Sequence, residues 1–431
     1  MLSRAFVTVG SSFALAVMLS GCSSGPPSLP ISGKAPEGAQ SRVLPGLPVT
    51  DALGPQAVVY KSLYSFKGYP VDGSSPLATL TVLNGNLFGT SVYGGKTNCI
   101  NNSGQVVGCG SAFKVTTAGV EHMIHSFSNY PNDGADPYGG LLVVGGQLYG
   151  AASLGGTTAA TGIFYSLSPS GTEKVLYQFE GIRGQGYPAD AASPDSGLIS
   201  LNGELYGTTN LGGNYGGGYG TVYKVSTTGA EQLVYSFESY PDGEYPYAGV
   251  ISVGGTLYGA TYQGGTSFSG MIFSVSTSGT EKPIYSFTGY PYGPDGLYPF
   301  GGLIAISGTL YGTTVYGGAS GNGAVYAVKT SGAEHIVYNF KGKPDGANPY
   351  STLVDVNGVL YGTTAGGGAS GNGTVFSVNP TTGVEKVLYS FKGQPDGAAP
   401  WAGLLYLNGV FYGTTTAGGT SKNGTVFSLK L

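Results

Sequence analysis

Charged residues are scarce in this chain of 431 residues: aspartate, glutamate, lysine and arginine together make up 9% of it, and the net charge at pH 7 is −4. Proteins that bind nucleic acid neutralise phosphates with clustered lysine and arginine, and no such cluster occurs here. Only three histidines are present, His122, His125 and His335, which leaves little material for a metal centre or a histidine base. The sequence therefore predicts no nucleic-acid partner, no metal and no cofactor.

The motifs of common catalytic sites are also missing. The chain contains neither Gly-x-Ser-x-Gly nor HExxH. Its glycine-rich segments, such as GGASGNG at 317–323, lie between predicted strands and do not precede a helix that could bind phosphate. On this evidence we assign no catalytic residue.

Glycine, in contrast, is abundant, with 79 residues, and much of it recurs in a pattern. Segments related to LYGTT occur seven times, and successive copies are separated by 50 to 61 residues. Their central glycines are Gly89, Gly150, Gly207, Gly259, Gly312, Gly362 and Gly413. A second motif, LYSF and its relatives, also occurs seven times. A fixed period near fifty residues predicts a repeat architecture.

Each repeat contains four short apolar segments and no helical periodicity, which predicts four antiparallel strands. We name them A (the GLL segment), B (LYGTT), C (GTVF) and D (LYSF). Seven such units predict an all-β fold, a seven-bladed β-propeller, whereas solenoid repeats carry fewer strands. The chain begins with a lone strand D at 57–66 and ends with a strand C at 425–431. We therefore expect the N-terminal outer strand to pair with the C-terminal strand and close the ring.

Acidic residues also follow the repeat. Glutamate begins strand D in six units, and an aspartate, usually followed by glycine, lies between strands D and A in all seven. The aspartates are interpreted as turn formers, with the following glycine at positive φ. A ring of carboxylates for calcium or for acid–base chemistry is the alternative, and calcium binding stays open.

The N-terminal segment differs in composition from the repeats. Residues 1–21 contain an apolar run, which is followed by LSGC at 19–22. This tetrapeptide resembles a bacterial lipobox and predicts that residues 1–21 are a lipoprotein signal peptide with lipid attachment at Cys22. Ordinary secretion with an incidental cysteine is the alternative. Residues 22–56 are rich in proline, serine and glycine and predict a flexible tether, followed by the propeller at 57–431. In an exported protein, the remaining pair, Cys99 and Cys109, predicts a disulfide.

The repeat unit carries a recognisable resemblance. The segment LYGTTAGGGASGNGTVFSVNPTTGVEKVLYSFKGQPDGAAPWAGLL at 360–405 resembles the GloVer tandem repeat of bacterial surface proteins, and the match covers all seven units. Blade 1 departs most, with LFGTS and an insertion that carries the two cysteines. The resemblance implies a propeller on an envelope protein, and it implies no known reaction. Together with the lipobox-like LSGC, it leads us to expect a protein of the bacterial cell envelope, lipid-anchored at the outer membrane on its periplasmic or surface-exposed face.

The residues that follow the proline before strand A suggest a ligand site. Five of the seven are aromatic: Tyr138, Tyr247, Phe300, Tyr350 and Trp401, whereas Leu77 and Asp195 interrupt the ring. Flat rings beside small polar loops suit uncharged sugars, although the same rings could simply pack the channel mouth. We expect a monomeric, non-catalytic module that binds polysaccharide or an envelope protein. The alternative is a carbohydrate-active enzyme, a hydrolase or lyase, that uses loop acids such as Asp136, Asp195, Glu238 or Glu244.

Overall fold

The computed structural model describes residues 58–101, 103–129, 131–157, 161–181, 190–214, 218–289 and 294–431. In these ranges the chain contains no helix and forms seven main antiparallel sheets around a common axis, together with six two-stranded sheets. The predicted seven-bladed β-propeller is confirmed. None of the described segments is a helix long and apolar enough to cross a membrane. The predicted signal peptide, Cys22 and the tether of residues 22–56 lie outside the described residues, as does Ala57, the first residue of the predicted propeller.

The two inner strands of each blade are a short strand A and a longer strand B. Strand A comprises Thr81–Leu83, Leu142–Val144, Ile199–Leu201, Ile251–Val253, Ile304–Ile306, Val354–Val356 and Leu405–Leu407. Strand B comprises Asn86–Ser91, Gln147–Ala152, Glu204–Thr209, Thr256–Thr261, Thr309–Tyr316, Val359–Thr364 and Val410–Thr415.

The two outer strands follow in the order C and then D. Strand C comprises Ser111–Thr116, Ile163–Leu167, Thr221–Val225, Met271–Val275, Ala324–Lys329, Thr374–Val378 and Thr425–Lys430. Strand D comprises Glu121–Ser126, Glu173–Gln178, Glu231–Ser236, Glu281–Ser286, Glu334–Asn339, Glu385–Ser390 and, for blade 7, Val59–Ser65.

Short strands also pair the loop before strand A with the loop after strand B. The pairs are Gly73–Ser74 with Tyr93–Gly94, Gly134–Ala135 with Leu154–Gly155, Ala191–Ala192 with Leu211–Gly212, Gly243–Glu244 with Gln263–Gly264, Gly346–Ala347 with Gly366–Gly367, and Gly397–Ala398 with Ala417–Gly418. In blade 5, Leu297–Pro299 pairs with the extended strand B.

The ring closes as the sequence predicts. Val59–Ser65 pairs antiparallel with Thr425–Lys430, so the first segment of the propeller supplies the outer strand of the last blade. Residues that begin and end the fold are thereby hydrogen-bonded in one sheet, and blade 7 has no missing strand.

The central glycine of LYGTT makes room for a ring from strand C. At Gly362, an added Cβ would lie 2.8 Å from Phe376 Cζ, and the same conflict recurs at the other six copies. The rings concerned are fully buried: Phe113, Tyr165, Tyr223, Phe273, Tyr326, Phe376 and Phe427. The glycine of strand B and the aromatic residue of strand C therefore form one packing unit.

The first threonine of LYGTT connects neighbouring blades. Thr363 Oγ1 donates to the carbonyl of Ala402 in the next blade at 2.9 Å, and Thr208 does the same to Ala248. The second threonine bonds within its blade, as Thr364 does with Thr374 of strand C at 2.8 Å. Blades are thus joined by buried hydrogen bonds as well as by apolar packing.

Small residues line the entry to strand A, next to the axis. An added Cβ on Gly403 of blade 7 would lie 2.8 Å from Thr79 Oγ1 of blade 1 and 2.9 Å from the carbonyl oxygen of Thr352 in blade 6. Small residues at this position therefore permit the close approach of neighbouring blades at the axis.

The Asp-Gly turns differ from their predicted geometry. The aspartate does bond its own turn, as Gly397 N donates to Asp396 Oδ1 at 2.7 Å. The glycine after it, however, is not at positive φ in most blades. It is required by space, because an added Cβ on Gly397 would lie 2.5 Å from Thr415 Cγ2. The predicted disulfide between Cys99 and Cys109 is present, with the two Cα atoms 4.9 Å apart.

Candidate functional site

Strained proline bends precede strand A in all seven blades. In every blade the residue before the proline has positive φ, although none is glycine: Ser75, Asp136, Ser193, Tyr245, Tyr298, Asn348 and Ala399. Residues with side chains rarely adopt this conformation, and such strain often clusters at ligand sites. Backbone bonds hold several of these bends; Ala365 N, for example, donates to the carbonyl of Asn348 at 3.0 Å.

Side chains around these bends do not follow the repeat, although the backbone does. We define the variable rim as the residue before the proline, the residue after it, and the residue that follows the LYGTT motif. The first set is given above, and the second is Leu77, Tyr138, Asp195, Tyr247, Phe300, Tyr350 and Trp401. The third set is Val92, Ser153, Asn210, Tyr262, Val315, Ala365 and Thr416. A constant scaffold that presents varied side chains is typical of a binding surface.

One half of the variable rim, from blades 4 to 7, is aromatic. Trp401 and Tyr350 stack with their ring centroids 4.0 Å apart and their planes at 4°. Phe300 meets both rings edge-on, at 6.1 Å from Trp401 and 5.2 Å from Tyr350, and it stacks on Tyr247 at 5.1 Å. Tyr350 is buried, whereas Trp401, Phe300 and Tyr247 are each partly exposed. Rings from four consecutive blades therefore form one continuous surface.

Further tyrosines extend this aromatic half. Tyr262 stacks on Tyr298 at 4.6 Å and meets Tyr247 edge-on at 5.4 Å. Tyr298 in turn lies 6.3 Å from Tyr316. Burial raises the pKa of Tyr247 to about 12, so its hydroxyl stays protonated and available as a donor.

The other half of the variable rim, in blades 2 and 3, carries two carboxyl groups. Ser153 lies between the two residues: its N–H donates to the backbone carbonyl of Asp136 at 3.2 Å, and its hydroxyl donates to the carboxylate of Asp195. Tyr138 lies in this half beside Tyr93 and both acids, and burial, followed by these three neighbours, raises its pKa. The site is therefore lopsided, with rings on one side and acids on the other.

Burial favours the protonated form of both carboxyl groups. Burial, and then the charge of Asp195, raises the pKa of Asp136 to about 7. Burial likewise raises the pKa of Asp195 to about 7, although the hydrogen bond from Ser153 acts to lower it. A carboxyl group in this state both donates and accepts hydrogen bonds.

The structure separates the predicted site residues into two groups. It brings Tyr247, Phe300, Tyr350 and Trp401 together and places Tyr138 with the acids instead. Tyr262, Tyr298 and Tyr316 were not predicted from the sequence, because none of them occupies the position after the proline. Comparing all non-repeating positions of aligned repeats would have found them.

Of the four loop acids named in the enzyme alternative, only Asp136 and Asp195 converge. Glu244 is buried and accepts a hydrogen bond from the hydroxyl of Ser239, and Glu238 is exposed in the loop that follows strand D. Neither glutamate belongs to the variable rim.

A second polar feature lies between the outer strands of adjacent blades. In six of the seven interfaces the tyrosine of LYSF donates to the turn aspartate, as Tyr389 does to Asp396 Oδ2 at 2.9 Å. In six of the seven interfaces, the glutamate that begins strand D of the next blade faces the turn aspartate. In the interface between blades 6 and 7, Tyr60 occupies that position, and its ring stacks on Tyr389 at 4.0 Å. Burial, followed by the charge of the facing aspartate, raises the pKa of every one of these glutamates to about 7: Glu121, Glu173, Glu231, Glu281, Glu334 and Glu385.

The interface between blades 1 and 2 breaks this pattern, because histidine replaces the tyrosine. His125 Nε2 lies 3.3 Å from Asp133 Oδ2, and Glu173 of blade 2 completes the group. Burial opposes the ionised form of Asp133, but the contact with His125 outweighs it and lowers the pKa of that carboxyl. Among the described residues, this is the one grouping of three or more histidine, cysteine, aspartate or glutamate side chains close enough to hold a metal ion.

Solved structures with a similar chain path are remote in sequence. A quinohemoprotein alcohol dehydrogenase from Comamonas testosteroni is 12% identical, with a TM-score of 0.48, and the match covers 86% of this chain and 76% of that one. An oligogalacturonate lyase from Vibrio parahaemolyticus is 9% identical, with a TM-score of 0.45 and coverage of 87% and 97%. A gluconolactonase from Xanthomonas campestris is 13% identical, with a TM-score of 0.39 and coverage of 70% and 85%. At this distance the likeness carries nothing about activity.

Sequence comparison gives a clearer result. No curated protein matches the chain. The model of the Gloeobacter/Verrucomicrobia repeat matches residues 99–305 and 290–431, which together span most of the propeller. The chain therefore belongs to the Gloeobacter/Verrucomicrobia repeat family, the GloVer family that its motifs resemble.

Proposed function

We propose that this protein is a non-catalytic binding module of the bacterial envelope and that its variable rim binds an uncharged polysaccharide. The observation that carries the proposal is the continuous aromatic surface of Tyr247, Phe300, Tyr350 and Trp401. Sugar rings present apolar C–H faces that pack on aromatic rings, and their hydroxyls need a few well-placed hydrogen-bonding groups.

The acidic half of the rim supplies such hydrogen-bonding groups. Burial raises the pKa of both Asp136 and Asp195 and so favours their protonated forms, which both donate to and accept from sugar hydroxyls. Further negative charge from an anionic polysaccharide would be opposed by the same buried carboxyls. These features together favour a neutral glycan.

A second candidate function is cleavage of the glycan by these two acids. Their convergence around Ser153 favours it, since glycoside hydrolysis uses a pair of carboxyl groups. We favour binding because the aromatic half, the larger part of the rim, supplies neither an acid nor a nucleophile.

A glycan array probed with the purified propeller tests the proposal. We expect binding to neutral glycans, loss of most of this binding in Trp401→Ala, and no change in Tyr406→Ala. Tyr406 is the control because it is an exposed aromatic residue of strand A outside the variable rim. Binding that survives Trp401→Ala would contradict the proposal, and shortening of a bound glycan during incubation would favour the enzyme.

Attachment to the envelope is a separate proposal that rests on the LSGC sequence alone. We propose that residues 1–21 are removed, that Cys22 carries lipid and that the monomeric propeller hangs from the membrane on the segment 22–56. Stable anchoring requires more than one acyl chain, because a single chain binds membranes only marginally. Cys22→Ala should release the protein from the membrane fraction; a variant that stays bound and is cleaved at the same bond would contradict this.

A further inference from the structure

We propose that His125, Asp133 and Glu173 bind one divalent transition-metal ion, of the zinc type, that bridges blades 1 and 2. The site lies outside the variable rim and is independent of glycan binding. His125 is on strand D of blade 1, Asp133 is in the turn that follows, and Glu173 begins strand D of blade 2.

The donor atoms are close enough for a shared ion. All three lie within 4.8 Å of one another, and His125 Nε2 is 3.3 Å from Asp133 Oδ2. Two ligands of a tetrahedral zinc ion, with bonds of about 2.0–2.1 Å, are about 3.3–3.4 Å apart. The third donor therefore needs to move by no more than about 1.5 Å to complete the set.

Two of the donor atoms are buried with few contacts. His125 Nε2 has Asp133 Oδ2 at 3.3 Å, and Glu173 Oε1 has no hydrogen-bond partner among the described residues, as is true of the equivalent glutamate oxygen at the other five interfaces. Asn129, whose backbone is bonded to the Asp133 turn on both sides, also carries a buried side-chain oxygen without a partner. Unpartnered buried polar atoms cost free energy, and the features particular to this interface are the histidine nitrogen and the Asn129 oxygen.

The interface between blades 1 and 2 differs from the others because a histidine replaces the tyrosine of strand D. Tyr338 donates to Asp345 at 2.9 Å and also influences Glu385, so its hydroxyl fills the place between the two carboxyls. At His125 that hydroxyl is replaced by a ring nitrogen, which is a good ligand for zinc. Three donors of this kind also leave a coordination position for water.

The surroundings of Asp133 support a ligand role. Ser128 donates to Asp133 Oδ2 through its N–H at 2.8 Å and through its hydroxyl at 2.9 Å, and Gly134 N donates to Oδ1 at 2.7 Å. Such bonds orient a carboxylate toward a metal, and the hydroxyl can rotate away as the ion binds. Calcium fits less well, because it prefers six to eight oxygen ligands.

The test measures zinc bound per chain by equilibrium dialysis and elemental analysis, on protein purified without a polyhistidine tag. We expect one ion in the wild type and none in His125→Tyr, which restores the tyrosine–aspartate bond of the other interfaces and should fold. Glu173→Gln should weaken binding by at least about tenfold, the effect of losing even an outer-sphere partner. Zinc should also raise the melting temperature of the wild type but not of His125→Tyr.

Two matched variants complete the test. Tyr338→His recreates the same three donors between blades 5 and 6 and should raise the stoichiometry to two ions. His122→Ala, which removes an exposed histidine on the same strand, should leave one ion bound. A wild type without zinc, undiminished binding in His125→Tyr, a folded Tyr338→His with a single ion, or loss of zinc in His122→Ala would each overturn the proposal.

Discussion

Gly362 illustrates how a single residue is fixed by its neighbour. It lies under the ring of Phe376, and the equivalent glycine of every blade lies under the strand C aromatic residue of that blade. Backbone freedom is not the reason, since Gly362 does not have positive φ. The recurrence of glycine in LYGTT is therefore a consequence of packing volume.

Replacing this glycine should destabilise the fold. We expect Gly362→Ala to lower the free energy of unfolding by about 1–3 kcal/mol, because the new methyl group must displace a fully buried ring. Gly197→Ala is the control: no atom lies within 4 Å of its added Cβ, and its φ is not positive. Urea unfolding would measure both. Equal stability of the two variants would refute the packing explanation.

Strand D carries the electrostatic features that join the blades. In six of the seven blades, strand D begins with a glutamate whose pKa is raised to about 7 by burial and by the facing aspartate. A protonated glutamate can donate a hydrogen bond to the facing carboxylate or tyrosine, whereas an ionised glutamate repels the charge of the facing aspartate. The interfaces are therefore stronger when these glutamates are protonated.

Stability should consequently depend on pH. An acid whose pKa is higher in the folded state binds protons more tightly there, so its contribution is complete below the unfolded value of 4.5 and is lost as the pH rises through about 7. We expect the urea concentration at the unfolding midpoint to decrease as the pH rises from 4.5 to about 7. Because the glutamates are partly exposed, solvent screening reduces the size of this decrease. Replacing both Glu334 and Glu385 with Gln should flatten the decline. A midpoint that rises over this interval would contradict the assignment.

At the scale of the whole molecule, ring closure depends on one segment. Strand D of blade 7 comes from Val59–Ser65, and Phe66, directly after it, is fully buried. Without this segment, strand C of the last blade would expose an unpaired edge and the blade would lose part of its core. The N-terminal strand is thus as necessary to the ring as any complete repeat.

Deleting residues 58–66 should therefore abolish cooperative unfolding or cause aggregation. A deletion of residues 23–50, within the predicted tether, is the control and should leave the melting temperature unchanged. Differential scanning calorimetry of the two deletions would decide the point. A sharp transition near the wild-type temperature in the first deletion would show that closure is dispensable.

Much of this architecture could be predicted from sequence because it repeats. Seven copies of LYGTT and LYSF define the blades, and the lone strand D at the start predicts the closure. Features that do not repeat were harder to find. The proximity of Asp136 to Asp195 depends on how two blades pack against each other. The scarcity of histidine led to the expectation of no metal, although His125 occupies the position of the repeated tyrosine.

The most direct test of the proposed glycan site uses the single tryptophan of the chain, Trp401, as a reporter. Because it lies in the aromatic half of the variable rim, a sugar that packs there changes its environment. Titration of the wild type with a neutral glycan that it binds should give a saturable change in tryptophan fluorescence, with the same affinity as measured by calorimetry. Calorimetric binding of the glycan without any change in the emission of Trp401 would place the ligand elsewhere and contradict the account.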